Sequence, residues 1–277
     1  MGQTYPASSG YSLFGAGVRP DNVEQGSIGN CWFLAAAAAV AEVPGRIENQ
    51  WITKEINDEG IYGINMYVLG VPITVVVDDY VPHYGSTYNT IFAKVQKTGD
   101  KTTWMTILEK AYAKLMGNYA QLIGGWARRG VETLTGFPAD GKNTADNTEA
   151  QLWDWLNTAD TANDVITASS HHDAAGDVNT NADGIAYSHA YSVIGTETIT
   201  DNSGVSHQLI RMRNPWGSEG YTGAWADADA AWNNVSSATK AAIGHTNSVS
   251  DGYFFMSVAS FKTNFRSAYI NRDMSGW

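Results

Sequence analysis

The sequence predicts an α+β protein, and three observations carry that prediction: an apolar helical run after the only cysteine, an amphipathic repeat beginning near Trp104, and alternating β-branched runs through much of the second half. The run CWFLAAAAAVAEV, from Cys31 to Val43, consists of strong helix formers, and Gly26, Gly29 and Asn30 before it suit a turn and an N-cap. Ile47 to Ile56 predicts another helical stretch, and the first thirty residues read as an irregular arm anchored by Leu13 and Phe14. The β-branched runs from Ile61 and from Val71 predict adjacent strands turned at Leu69, Gly70 and Val71. Trp104, Ile107, Leu108, Ala111, Tyr112, Leu115 and Met116 recur at helical spacing, an amphipathic helix of about four turns. Gly124 and Gly125 then interrupt the pattern, either as a hinge between domains 1–124 and 125–277 or as an ordinary helix C-cap.

Beyond that pair, EAQLWDWLNTA predicts a short helix and VITASS a buried strand, while the polar stretches GKNTADNTEA and HHDAAGDVNTNADG predict surface loops. GIAYSHAYSVIGTETI and HQLIRMRNPW read as paired strands, YFFMSV as another, and FRSAYI as the strand that closes the sheet.

With 277 residues and 43% hydrophobic content, the chain can bury one large core or two moderate ones. No apolar run approaches the ~18 residues needed to span a bilayer. The N-terminus lacks the basic start and apolar segment of a signal peptide. A net charge of −11 argues against nucleic acid and anionic membrane as partners, because both need basic surface. One cysteine excludes an internal disulfide; this fits a cytoplasmic setting, although exported bacterial proteins without disulfides share the trait.

That cysteine, Cys31, is the candidate nucleophile, since amide N–H groups and the positive end of a helix dipole favour a thiolate. A small buried hydrophobe beside Trp32 and Phe33 is the bland alternative. Among six histidines, His189 is the best framed as a base: it lies in the apolar run AYSHAYSVIG, where a titratable ring is costly unless something uses or satisfies it. A core histidine held by a backbone carbonyl would look the same. Asn214, in RNPWG, can orient an imidazole by accepting its N–H, although Asn before Pro is also a common turn signal. The chain order Cys, His, Asn is that of papain-like proteases.

The resemblance then becomes specific. QGSIGNCWFLAAAAAV, LEKAYAKLMGNYAQLIGG, SHAYSVIG, RNPWGSEGYTGAWAD and DGYFFMSVASF resemble, in order, the motifs of the calpain family's protease core, from about Leu13 to about Ile270. That resemblance implies a papain-like two-lobed core with a helical N-terminal lobe, a β-rich C-terminal lobe and a cleft between them. It implies Cys31 as nucleophile, His189 as general base and acid, and Asn214 as orienter, acting through a thioester acyl-enzyme. Gln25 falls at the family's oxyanion donor, and Trp216 at an indole beside the cleft. Protein or peptide substrates follow, with an aliphatic residue expected two places before the scissile bond.

No required cofactor follows from the match, and calcium is weakly supported. Of the family's acidic ligands, Asp227 and Asp251 remain, whereas Asn22, Ala120, Gly220 and Tyr253 replace others; the two retained acids are expected to be solvated or capping residues. The loop from Asp177, DVNTNADG, is similar to the start of an EF-hand, with Ala182 at the glycine position and Ser188 at the bidentate glutamate. Asn30 stands where the family commonly has aspartate. Two alternatives are a transglutaminase-like acyltransferase and a catalytically silent binding module, the latter suggested by ten tryptophans on an acidic chain.

Overall fold

A computed structural model describes residues 2–6, 9–85, 89–94, 101–247 and 251–274. The predicted arm therefore lies partly outside the described residues. The chain divides into two compact units, Met1–Pro138 and Ala139–Trp277.

The N-terminal unit is built on helix α1 (Cys31–Val40), every residue of which is buried. A helix apolar on all sides needs partners all round. The two-residue strand β1 (Gly2–Gln3) pairs with β4 (Val81–Pro82), and β2 (Ile61–Val68) forms an antiparallel hairpin with β3 (Val71–Asp78). Leu69 and Gly70, at φ of 51° and 79°, make the tight turn. Helix α2 (Trp104–Met116) buries the predicted apolar face from Trp104 to Tyr112, while Met116 at its end is exposed, and Tyr112 stacks on Phe33 at 4.2 Å between ring centroids. Helix α3 (Ala127–Thr135) packs on α1 and β2 and ends at Gly136 in the left-handed conformation.

Two expectations fail here. Residues 47–56 hold only a 3-10 turn at Glu48–Gln50, because Trp51 leaves it to bridge Ile64 of the hairpin. The division between units falls at Pro138 rather than at Gly124 and Gly125. Gly125 instead lies flat against Trp32, where an added Cβ would come within 2.4 Å of the indole, and Gly124 donates its N–H to the Gly29 carbonyl. Close approach, not freedom, is what this glycine supplies.

The C-terminal unit is a six-stranded antiparallel sheet in the order β5-β10-β6-β7-β8-β9. Its strands are β5 (Ala139–Asn143), β6 (Val165–Ser170), β7 (Ala190–Thr200), β8 (Ser206–Arg213), β9 (Tyr253–Ser257) and β10 (Phe265–Asn271). The expected loop at Gly141 to Asn143 is an edge strand, and β10 lies inside the sheet between β5 and β6 rather than closing it. Alternation sorts the side chains between two cores. Ile210, Phe254 and Met256 join Leu152 and Leu156 of α4 (Glu149–Thr161) and Phe261 of α6 (Val258–Asn264) on one face. Leu209 and Phe255 join Trp225, Trp232 and Ile243 on the other, just beyond α5 (Ser237–Ala242). A Thr148 capping box fixes where α4 starts.

Gly125→Ala is expected to cost roughly 1–3 kcal/mol by overpacking against Trp32. Denaturant unfolding checks it, and unchanged stability would show that Trp32 yields to the added Cβ and that close approach does not require this glycine.

Candidate functional site

Cys31 opens α1 and is 8% exposed, so the only thiol stands at a helix N-terminus. Asn30 is the N-cap residue, yet its side chain makes no capping bond. Its amide donates instead to Glu109 of α2, at 2.7 Å. The other Glu109 oxygen accepts the Ala93 N–H at 2.9 Å. One buried carboxylate thus ties the residue before Cys31 to the segment 89–94. That segment is bound in turn to the Gln25 turn, through Ser27 N–H to Ile91 O and Lys94 N–H to Glu24 O, both at 2.8 Å. Gly26 is required there, since a Cβ would sit 1.7 Å from the Phe92 carbonyl oxygen. Gln25 donates one amide hydrogen to Ile28 O at 2.7 Å, which leaves its second hydrogen for another acceptor.

Glu109 is fully buried, and burial pushes its pKa from 4.5 up to about 7 against the two bonds that favour the ionised form. Sequence reading passed over it, although a carboxylate four residues after Met105 and three before Tyr112, both buried, lies on the apolar face of α2.

In the C-terminal unit, topology brings His189 and Asn214 together. His189 immediately precedes β7, and Asn214 immediately follows β8; the two strands are antiparallel, with Ser192 opposite Arg213. Both residues therefore occupy one end of the sheet. His189 is locked to the end of β6 by N–H to Ser170 Oγ and by its carbonyl to the Ser170 N–H, each at 3.0 Å. The Asn214 N–H donates to Gly252 O at 2.8 Å, which pins it to the start of β9.

His189 Nε2 lies 2.9 Å from Asn214 Oδ1. The same oxygen accepts the backbone N–H of Trp216 at 3.0 Å. A backbone N–H can only donate, so this contact fixes which end of the carboxamide is oxygen, and the oxygen in turn requires the hydrogen on Nε2. Nδ1 is left as the ring's basic nitrogen. The Trp216 ring packs on the imidazole at 4.3 Å, and Tyr191 meets it edge-on at 4.9 Å. His189 has no exposed side-chain surface, and Nδ1 lies 3.6 Å from Asp177 Oδ2.

The resemblance of the Asp177 loop to an EF-hand is not matched by its geometry. Asp177 faces His189, whereas Asp183 Oδ2 accepts from Asn264 at 2.9 Å, so these two carboxylates engage separate partners. Ser188, at φ of 47°, serves the loop by exchanging hydrogen bonds with the backbone of Asp173.

A second acidic group lies near Asn214. Glu219, Asp227 and Asp251 each place an oxygen within 4.8 Å of the others. Asp227 is buried, not solvated as expected, and burial together with the Glu219 and Asp251 charges pushes its pKa up to about 8. Asp227 Oδ2 and Glu219 Oε1 are buried without a hydrogen-bond partner among the described residues. Asp251 accepts the Tyr253 N–H at 2.9 Å, a local turn at the start of β9. Glu219 escaped sequence reading because it stands one residue before Gly220, the position compared with the family's acid. Of the other substituted positions, Asn22 is buried and accepts from Trp104 Nε1 at 3.3 Å, while Ala120 is exposed and offers no side-chain oxygen.

A family model described as calpain family cysteine protease matches residues 6–272. The chain is 33% identical over 267 residues to the calpain-type cysteine protease DEK1 of Arabidopsis thaliana, which covers 94% of this chain and 12% of that protein. It is 31% identical over 281 residues to Calpain-5 of Caenorhabditis elegans, covering 90% of this chain and 43% of that one. Against Calpain-8 of Homo sapiens the identity is 32% over 257 residues, 91% of this chain and 35% of the relative. The chain belongs to the calpain family of cysteine proteases, and it spans less than half the length of these relatives. Its mixed helix and sheet architecture is that of the family's protease core, a helix-rich N-terminal part followed by a β-rich C-terminal part. No helix among the described residues is long and apolar enough to cross a membrane.

Because Glu109 binds its proton more tightly folded than unfolded, its burial costs stability as pH rises from about 4.5 through about 7. Glu109→Gln removes that part of the slope. Between about pH 5 and about pH 8, wild type should lose on the order of 3 kcal/mol relative to the variant in urea titrations. Parallel pH profiles would show that the carboxylate is ionised without penalty.

Proposed function

We propose that the chain is a calpain-like cysteine endopeptidase acting on protein or peptide substrates. The observation that carries this reading is the orientation of His189: Asn214 holds Nε2–H, so Nδ1 is the nitrogen able to take a proton. In the proposed reaction, Nδ1 takes the Cys31 thiol proton and the sulfur attacks the scissile carbonyl carbon. The carbon–nitrogen bond breaks as Nδ1 returns the proton to the leaving amine, leaving a thioester. Water, deprotonated by the same nitrogen, attacks the thioester; the carbon–sulfur bond breaks, the acid is released, and Nδ1 returns the proton to the Cys31 sulfur. The second amide hydrogen of Gln25, with the Cys31 N–H, would stabilise the oxyanion. Trp216 covers the imidazole and would keep water from its face.

The donor set of Glu219, Asp227 and Asp251 suits a hard divalent cation such as calcium, and the repulsion among these buried acids is what such an ion would relieve. Bound there it would supply charge compensation beside the Asn214 turn, since Gly252 gives its N–H to Glu219 and its carbonyl to Asn214.

A papain-type epoxide is expected to label Cys31 once and abolish cleavage of an unfolded protein, and His189→Ala should lower kcat by ~10²–10⁴-fold. Cleavage retained by Cys31→Ala would contradict the assignment, as would recovery of only cross-linked glutamine products by mass spectrometry. Calcium should raise the melting temperature of wild type but not of Asp227→Asn; equal shifts would place the ion elsewhere.

A further inference from the structure

The imidazole of His189 faces two acceptors. Asn214 Oδ1 takes the Nε2 hydrogen, and Asp177 Oδ2 lies 3.6 Å from Nδ1. An ionised carboxylate can only accept, so a neutral ring held with its hydrogen on Nε2 turns a lone pair toward a negative charge. The imidazolium instead turns an N–H toward it. We propose that Asp177 is a positioning residue for His189, one that holds the buried ring in its doubly protonated form and keeps the transferable proton on Nδ1.

The same coupling is visible from the other side. The His189 ring beside it is the largest influence on Asp177, and it holds that carboxyl below the usual carboxylate range. Asp177 faces the ring as a charged group of the same unit. Tyr191 and Trp216 meet it as ring contacts, and the Tyr191 hydroxyl accepts the Ala186 N–H. The carboxylate is delivered by a tied loop rather than a loose one. Ser188 N–H to His171 O at 2.7 Å and Tyr187 N–H to Asn179 O at 3.0 Å close its base, and Asp177 rides on the 3-10 turn Gly176–Val178. Its side chain is 36% exposed, so solvent weakens the interaction to less than a buried pair would give.

The consequence for turnover rests on the peptidase reading above. There the imidazolium is the form that balances the thiolate and later protonates the leaving amine. Extending its pH range protects the alkaline side of the activity profile.

The test uses wild type, Asp177→Asn and Asp177→Glu. Histidine titration by NMR, in a Cys31→Ala background that needs no turnover, should show the His189 midpoint falling by about one pH unit in Asp177→Asn and largely restored in Asp177→Glu. In active protein, the alkaline limb of kcat/KM should move down by the same amount, ~10-fold in rate at pH values above the limb. An unchanged midpoint in Asp177→Asn overturns the inference. A shifted midpoint without peptidase activity in wild type would sustain the Asp177–His189 coupling and sink the peptidase reading alone.

Discussion

A single carboxamide oxygen, Oδ1 of Asn214, accepts two hydrogens at once, from the His189 ring at 2.9 Å and from the Trp216 backbone at 3.0 Å. The chemistry proposed for the C-terminal unit depends on that shared acceptor. The backbone donor settles the orientation of the amide, the amide settles the tautomer of the ring, and the tautomer decides which nitrogen can act as base. An aspartate at 214 would accept the same two hydrogens but add a charge, and a leucine would leave a buried ring hydrogen unsatisfied.

The sheet makes this arrangement reproducible. An antiparallel hairpin places the residue before one strand and the residue after the next at the same end. Flanking β6 and β9 then hold both backbones, through Ser170 and Gly252. The N-terminal unit solves a parallel problem with different means. There a buried glutamate, not a sheet, binds the residue preceding the thiol to the belt that carries the Gln25 turn. In each unit a buried polar group does the holding: Asn214 orients the His189 ring directly, and Glu109 ties down Asn30, the residue before Cys31.

Much of this was legible in the residue order. Period 3.6 gave α2, period 2 gave β7, β8 and β9, and the residue types at 31, 189 and 214 framed a nucleophile, a base and an orienter. What was hidden depends on contacts between distant segments. Trp51 prefers the hairpin to a helix because Ile64 stands beside it, and Gly125 is small because Trp32 is there. Asp177 looked like a ligand of a loop when read with its neighbours, and only the fold turns it toward an imidazole. Glu219 was missed by one position, since a register taken from motif spacing cannot show which of two adjacent residues points inward.

The most direct test is the tautomer itself. Nitrogen NMR of protein labelled with 15N-histidine, followed as His189 loses its proton, should show Nε2 keeping its hydrogen while Nδ1 gives it up, and this preference should vanish in Asn214→Ala. If Nδ1 keeps the hydrogen in wild type, the ring cannot receive a thiol proton there, and the account fails at its centre.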